Sequence, residues 1–432
     1  LDPAIFGYDS AEDLIADYPP NSMNSYVRDG QVYGLFNELT TLALFYNKNM
    51  FDEAGIEYLP EDKPVSWTHI GEISQQLRRT DPNTNALIQI GYQFGFFAAY
   101  RSPQWYAQAK FGIFLHWGIY SVPAWATNSN ADGFGSNYAE WYWQRLFAPN
   151  LKIHKEFVAF HDSVYGKNFH YPDFAQKFTC ELFNPNQWAQ LFKDAGAKYV
   201  VLTSKHHDGF CLWPSNFSTH TVRESKWKDG KGDVLKELSQ ACREAGLKFG
   251  VYLSPWDRNH PDYGTDKYNT VFAGMMKEIF LNYGPIWEMW WDGANGEGPN
   301  GKIQEYDWKR YENIVKQYSP NTVVFSDIGP DIRWVGNENG IAGDPNWNFL
   351  DPDGFKRGEG APPTDTLNQG NYRGRRWMPA ECDVSIRPGW FWHANEDDKI
   401  KTPRQLFDIY IKSVGRGANL LLNVPPDSRG LI

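Results

Sequence analysis

Residues 286–292 read IWEMWWD, and GANGEG follows over 293–298. Ile286, Trp287, Met289, Trp290 and Trp291 form an apolar run of strand length, as expected of a strand buried on both faces in a parallel sheet. The run ends on Asp292. Withdrawing an ionised carboxylate from water costs several kcal/mol unless partners meet it, so a carboxylate in this place is expected to have a chemical task. The glycines behind it leave space at its side. Capping of the next turn is the plainer alternative, since Asp often starts turns.

Seven other runs share this character: 111–117 (FGIFLHW), 199–204 (YVVLTS), 248–254 (KFGVYLS), 322–327 (TVVFSD), 376–381 (RWMPAE), 389–393 (GWFWH) and 418–424 (ANLLLNV). Helical patterns lie between them, among them 184–196, with Asn184 as N-cap and Gly196 past its end, 232–246, 268–284 and 402–415. Strands alternating with helices in this number predict an α/β fold, a (β/α)8 TIM barrel whose active site lies at the carboxyl ends of the strands. The polar residues follow that rule. His116, the group His206, His207 and Asp208, then Asp257, Asp292, Asp327, the pair Glu381 and Asp383, and His393 all fall at expected strand ends.

Residues 1–100 break the rhythm. Helices are expected over 10–18 and 66–77, strands over 31–35 and 42–47, and turns at 60–64 and 81–85, so this part reads as a small α+β segment before a barrel domain spanning 101–432.

Composition narrows the function classes. With 42 Lys plus Arg against 52 Asp plus Glu, the net charge is -10, which argues against a nucleic-acid partner. The 19 Trp, 24 Tyr and 28 Phe suit stacking on ring-shaped ligands as well as filling a large core. No apolar run is long enough to span a membrane, and the N-terminus lacks a charged stretch backed by an apolar one. A cytoplasmic location is expected, and secretion stays open because the chain begins at Leu1. Cys180, Cys211, Cys242 and Cys382 have no metal-site spacing and are expected to be buried free thiols. His206 and His207 are adjacent and so point to opposite sides of a strand, which sets a metal reading aside; no metal and no cofactor are expected.

A retaining glycosidase needs a nucleophilic carboxylate and a second one, about 5 Å away, to protonate the leaving oxygen. Asp292 is the natural nucleophile. Two residues compete as the proton donor: Glu338, in a Gly- and Asn-rich loop, and Glu381, at an expected strand end. His116, His206 and His207 are expected to ring a polar ligand, with Glu140, Trp141 and Trp390 supplying a carboxylate and an apolar wall.

Taken as strings, 109–125 (AKFGIFLHWGIYSVPAW), 140–143 (EWYW), 197–215 (AKYVVLTSKHHDGFCLWPS), 249–257 (FGVYLSPWD), 290–293 (WWDG), 325–338 (FSDIGPDIRWVGNE), 379–393 (PAECDVSIRPGWFWH) and 413–427 (SVGRGANLLLNVPPD) resemble the glycoside hydrolase family 29 α-L-fucosidases. The resemblance implies a retaining, exo-acting enzyme that removes terminal α-L-fucose from glycans through a covalent fucosyl-enzyme. It implies Asp292 as nucleophile and Glu338 as acid/base. It places fucose contacts at His116, Glu140, Trp141, His206, His207, Tyr252, Trp290 and Trp390. Within 329–338 and 384–393 the strings look most like the branch that prefers α-1,3 and α-1,4 linkages.

Two departures from the family pattern stand out. The chain stops at Ile432, without the final helix and β-sandwich, and residues 30–56 resemble part of an ABC-transporter sugar-binding protein. A barrel edge left uncovered exposes apolar surface, so a homo-oligomer is expected, with a neighbour or the N-terminal segment covering that edge. A non-catalytic glycan-binding protein on a decayed barrel, or a retaining glycosidase for another sugar, are the alternatives.

Overall fold

The structure, a computed structural model, describes residues 2–18, 23, 26–33, 48–60, 65–77, 79–80, 87–89, 103–133, 135 and 137–432. The chain divides into two compact units, 1–96 and 97–432.

In the first unit, helix Ala11–Ala16 starts at Ser10, whose hydroxyl accepts from Asp13 N at 3.1 Å. A second helix, Trp67–Leu77, lies within the expected span, and Ile70, Ile73 and Leu77 turn one face onto Phe51 and Leu59. A short antiparallel pair joins Val27–Arg28 to Gln31–Val32. The strand expected over 42–47 lies outside the described residues, as do 34–35 of the strand expected over 31–35 and most of both expected turns.

The second unit is a closed parallel barrel of eight strands. In chain order they are β1 (Phe111–Leu115), β2 (Tyr199–Lys205), β3 (Lys248–Leu253), β4 (Glu288–Trp290), β5 (Val323–Ser326), β6 (Ile332–Trp334), β7 (Ala380–Ser385) and β8 (Asn419–Asn423). Each pairs with the next, and β8 closes on β1 through Leu420 opposite Phe111. Alternation along each strand splits the apolar residues into two cores. Val200 and Leu202 of β2 point outward to the helical layer, whereas Tyr199 and Val201 join Phe114, Tyr252, Trp290, Phe325 and Leu421 in the barrel interior.

The helices on the outside carry ordinary end signals. Helix α1 (Pro185–Asp194) is capped by Asn184, which accepts from Gln187 N at 3.1 Å. Helix α2 (Val234–Ala245) is capped by Asp233 and stopped by Gly246, whose φ of +80° is costly for any other residue. Helices α3 (Asp266–Asn282), α4 (Trp308–Tyr318), α5 (Thr364–Gln369) and α6 (Pro403–Ser413) follow, the last opened by a reciprocal Thr402 and Gln405 capping box.

Two expected strands are corrected. The run 376–381 is not one strand: Arg376–Trp377 pairs antiparallel with Phe349–Leu350 outside the barrel, and β7 begins only at Ala380, after Pro379. The run 389–393 is no strand at all but an irregular loop behind β7, where Pro388 and Gly389 interrupt any ladder. The missing sixth strand is β6, only three residues long, whose Arg333 points away from the interior and spends its guanidinium on the carbonyls of Leu367 and Met378. All four cysteines are free and buried. Among the described residues no helix is long and apolar enough to cross a membrane.

Candidate active site

The carboxyl ends of the strands gather most of the predicted residues. Asp292 follows β4 and uses its two oxygens differently. Oδ1 accepts from Ala294 N at 2.7 Å, which is the turn-capping role. Oδ2 accepts from Tyr252 OH at 2.9 Å and stands 3.8 Å from His207 Nε2. One oxygen thus caps the turn, and the other is left to Tyr252 and His207. The glycine after it has a steric reason, because a Cβ on Gly293 would come within 3.1 Å of Asp327 Oδ2. Asp327 is itself a buried carboxyl next to this turn, pushed up to about 6 mainly by burial.

Two imidazoles are oriented by neutral partners. Ser254 Oγ donates to Trp256 O at 2.9 Å, so toward His207 Nδ1, at 2.7 Å, it must accept. His207 therefore carries its proton on Nδ1 and offers Nε2 as an acceptor. By the same logic Asn423 Oδ1 accepts from His116 Nδ1 at 3.0 Å, while its amide nitrogen donates to Ser385 Oγ and Trp390 O. Burial lowers His116 to about 3 and His207 to about 4, with the Asp292 charge working against the shift at His207. His206 is likewise lowered by burial and stacks on Tyr252, with ring centroids 5.5 Å apart and planes at 9°. Three neutral imidazoles suit a ligand rich in hydroxyls.

Opposite them sit the carboxyls. Glu140, on the 3-10 turn Ala139–Trp141, accepts from Trp390 N at 3.2 Å through Oε1, while its buried Oε2 has no donor among the described residues. Burial pushes this group up to about 8. Glu338 lies in the loop after β6, which Asn337 ties by donating to Ile341 O at 2.8 Å and accepting from Asn339 N at 3.0 Å. Burial first, and then the Asp292 charge, raise Glu338 to about 6, with a hydrogen bond from Trp390 pulling the other way. The two candidate catalytic carboxyls thus act on one another.

Aromatic rings close the pocket. Trp390 lies 5.0 Å from the His116 ring, and Trp141 lies 6.0 Å from His207 and from Trp256. Trp290 is buried deeper, stacked on Phe325 at 4.0 Å and against Tyr252 at 5.1 Å.

Glu381 is not part of this constellation. It is the second residue of β7, and its Oε2 accepts from Tyr106 OH at 3.0 Å and Tyr199 OH at 2.8 Å, at the amino-terminal end of the barrel. Of the expected proton donors only Glu338 stands beside Asp292. Three other residues expected at strand ends, of which His393 lies in the loop behind β7, have loop-building roles. Asp257 pairs with the fully buried Lys205 at 3.2 Å, Asp208 accepts from Tyr171 OH at 2.9 Å, and His393 Nε2 meets Ala126 N at 2.8 Å. Ser254, Asn423 and Trp256 were missed in the sequence. Ser254 and Asn423 also stand at the ends of β3 and β8, a position shared with the residues that were found.

A family model described as alpha-L-fucosidase matches residues 96–432. Alpha-L-fucosidase 1 of Arabidopsis thaliana is 47% identical over 287 residues, which cover 66% of this chain and 53% of that protein. A glycoside hydrolase 29 family member from an unknown rumen bacterium superposes with a TM-score of 0.61 at 35% identity, covering 77% of this chain and 55% of the other. An alpha-fucosidase from Thermotoga maritima, crystallised with fucose, gives a TM-score of 0.57 at 32% identity, covering 77% and 70%. The chain spans about half the length of the plant protein it matches. The transporter-like reading of residues 30–56 gains no support from these likenesses, and residues 34–47 of that stretch lie outside the described residues.

Proposed function

The chain belongs to the α-L-fucosidase family, and on that premise we propose that it is a retaining exo-α-L-fucosidase acting on fucosylated glycans. The observation that carries the reading is the pairing of two carboxyls of different character. Asp292 Oδ2 is held by Tyr252 at 2.9 Å, and Glu338 is kept protonated up to about 6 by burial and by the Asp292 charge. In this proposal Asp292 attacks the anomeric carbon while Glu338 gives its proton to the leaving oxygen. Glu338 then takes a proton from the water that releases fucose. His116, His206, His207 and Glu140 bind the ring hydroxyls, and the aromatic wall of Trp141, Trp290 and Trp390 packs on the apolar faces of the sugar. A protein that only bound glycans would have no use for the carboxyl pair. The strings over 329–338 and 384–393 support α-1,3 and α-1,4 linkages on branched glycans.

The test is release of free fucose from a Lewis trisaccharide and from an aryl fucoside, with the first-formed anomer read by proton NMR. Both substrates are expected to yield fucose, the α-anomer first. Initial β-anomer rules out retention, and saturable binding without release makes the protein a glycan-binding one.

We also propose that the chain forms a homo-oligomer. Phe407 and Ile411, 66% and 49% exposed, form with Tyr410 an apolar stripe at helical spacing on α6. Sedimentation of the wild type is expected to show a species larger than a monomer at micromolar concentration, with Phe407→Glu shifting it toward monomer. A wild type that stays monomeric throughout ends this proposal.

A further inference from the structure

The floor of the barrel holds a second acid pair. Glu288 opens β4 and Glu381 sits near the start of β7, and both are fully buried. Two glycines make room for this layer. A Cβ on Gly250 of β3 would stand 2.8 Å from Glu288 Cβ, and one on Gly112 of β1 would stand 2.5 Å from the Tyr199 ring. Glu381 Oε2 is fed by the hydroxyls of Tyr106 and Tyr199 at 3.0 and 2.8 Å. The other three oxygens, Glu381 Oε1 and both of Glu288, receive no donor from any other described residue.

The surroundings offer no counter-charge. The short helix Gln104–Ala109 contributes Tyr106, β2 contributes Tyr199, β4 contributes Trp290, and β8 contributes Asn419, whose amide goes to Tyr106 O. Lys248 of β3 stands over the Trp287 ring at 3.8 Å. Among the described residues no cation pairs with either carboxyl. Two ionised carboxyls here would repel in a medium that solvates neither. One proton held between them removes a charge and supplies the missing donor, with Glu288 OH donating to Glu381. Burial, and then the Glu381 charge, indeed push Glu288 well above the ordinary carboxylate range.

Above the pair lies Trp290. Among the described residues its Nε1 has no partner at hydrogen-bond geometry, yet it faces Glu381 closely enough to favour that carboxylate. Its ring stacks against Tyr252, which donates to Asp292 Oδ2. Floor pair, indole, phenol and nucleophile make one contiguous column. We infer that Glu288 and Glu381 share one proton and act as positioning residues, bracing Trp290 from below and so fixing Tyr252 under Asp292.

The kinetic arm of the test rests on the fucosidase reading, and the thermal arm does not. Melting temperatures of the wild type and Glu288→Gln are compared from pH 5 to 9. The folded wild type holds, well above the ordinary Glu range, a proton that the unfolded chain releases within that range. Its stability relative to Glu288→Gln is therefore present at low pH and is lost as pH rises. A difference that does not change with pH overturns the shared proton. On an aryl fucoside, Glu288→Gln, which keeps a donor, is expected to stay within about threefold of wild-type kcat, whereas Glu288→Ala falls about tenfold or more with KM little changed. Wild-type kcat in Glu288→Ala, or equal losses in both variants, overturns the positioning role. Should Glu288→Ala not fold, the thermal arm still decides the shared proton, and a Glu288→Gln kcat more than about tenfold below wild type overturns the positioning role. A wild type that releases no fucose defeats the proposed function and leaves the thermal result standing.

Discussion

On the proposed retaining mechanism, replacing Asp292 by alanine is expected to lower kcat on the order of 10^4-fold or more, because it removes the carboxylate assigned to attack the anomeric carbon. The side chain has two jobs that the structure separates. Its Oδ2, held by Tyr252 at 2.9 Å, faces the pocket, and its Oδ1 caps the turn through Ala294 N at 2.7 Å. Losing the cap costs about 1 kcal/mol of stability, too little to unfold a barrel of this size and far too little to explain the loss of rate. His207 and His116 are held by Ser254 and Asn423 rather than by Asp292, so affinity for L-fucose is expected to persist. Titration calorimetry with fucose beside turnover of an aryl fucoside makes the comparison. A small anion such as azide, entering the vacated space, is expected to restore part of the rate and give the β-fucosyl azide. Turnover at the wild-type rate in Asp292→Ala would remove the nucleophile from this residue and take the proposed mechanism with it.

The parts of the fold that could be read in advance share one physical trait. β1, β2, β3, β4, β5 and β8 are mostly apolar on both faces, because one face meets the helices and the other fills the barrel interior, and such runs stand out in a sequence. β7 does not stand out. Its inward residues are Glu381, Asp383 and Ser385 and its outward ones Cys382 and Val384, so it alternates like a solvent-facing strand while being buried throughout. β6 is hidden by its length and by Arg333, a charged residue that is fully buried with its guanidinium on a carbonyl of α5 and one of the segment before β7. Register then decided the site. With β7 starting at Ala380 rather than ending at 381, Glu381 drops to the floor of the barrel, and its competition with Glu338 ends.

Residue type alone could not sort the strand ends. Asp257 and Asp208 have the same chemistry and the same address as Asp292 and His207, but they are spent on Lys205 and Tyr171, while His393, in the loop behind β7, meets Ala126. Conversely, Ser254 and Asn423 do not titrate, so a search for ionisable groups passes over them, although they fix which nitrogen of each imidazole faces the ligand. The resulting pocket pairs neutral imidazoles with carboxyls that burial has raised. That balance suits an uncharged sugar whose only charge appears, briefly and positively, at the anomeric carbon during reaction.

Glu338→Gln is expected to divide substrates by their leaving groups. A sugar hydroxyl leaves poorly unless it is protonated as the bond breaks, whereas a nitrophenolate leaves without help. Loss of the acid should therefore cost about 10²- to 10⁴-fold on a Lewis trisaccharide, and much less in the first, bond-breaking step of a nitrophenyl fucoside. The pH profile gives a second, independent reading. Burial and the Asp292 charge hold the Glu338 proton up to about 6. In the wild type, kcat/KM for the trisaccharide should accordingly decline as pH rises through that value and the acid is lost. The variant has no such proton to lose, so its residual activity on the aryl substrate should lack that decline. Asp383 is the control. It accepts from Trp334 Nε1 at 2.8 Å, and burial, with the Glu338 charge, raises it well above the ordinary carboxylate range. If Glu338→Gln loses equally on both substrates and keeps the alkaline decline, while Asp383→Asn abolishes it, the proton comes from β7 and not from the loop after β6.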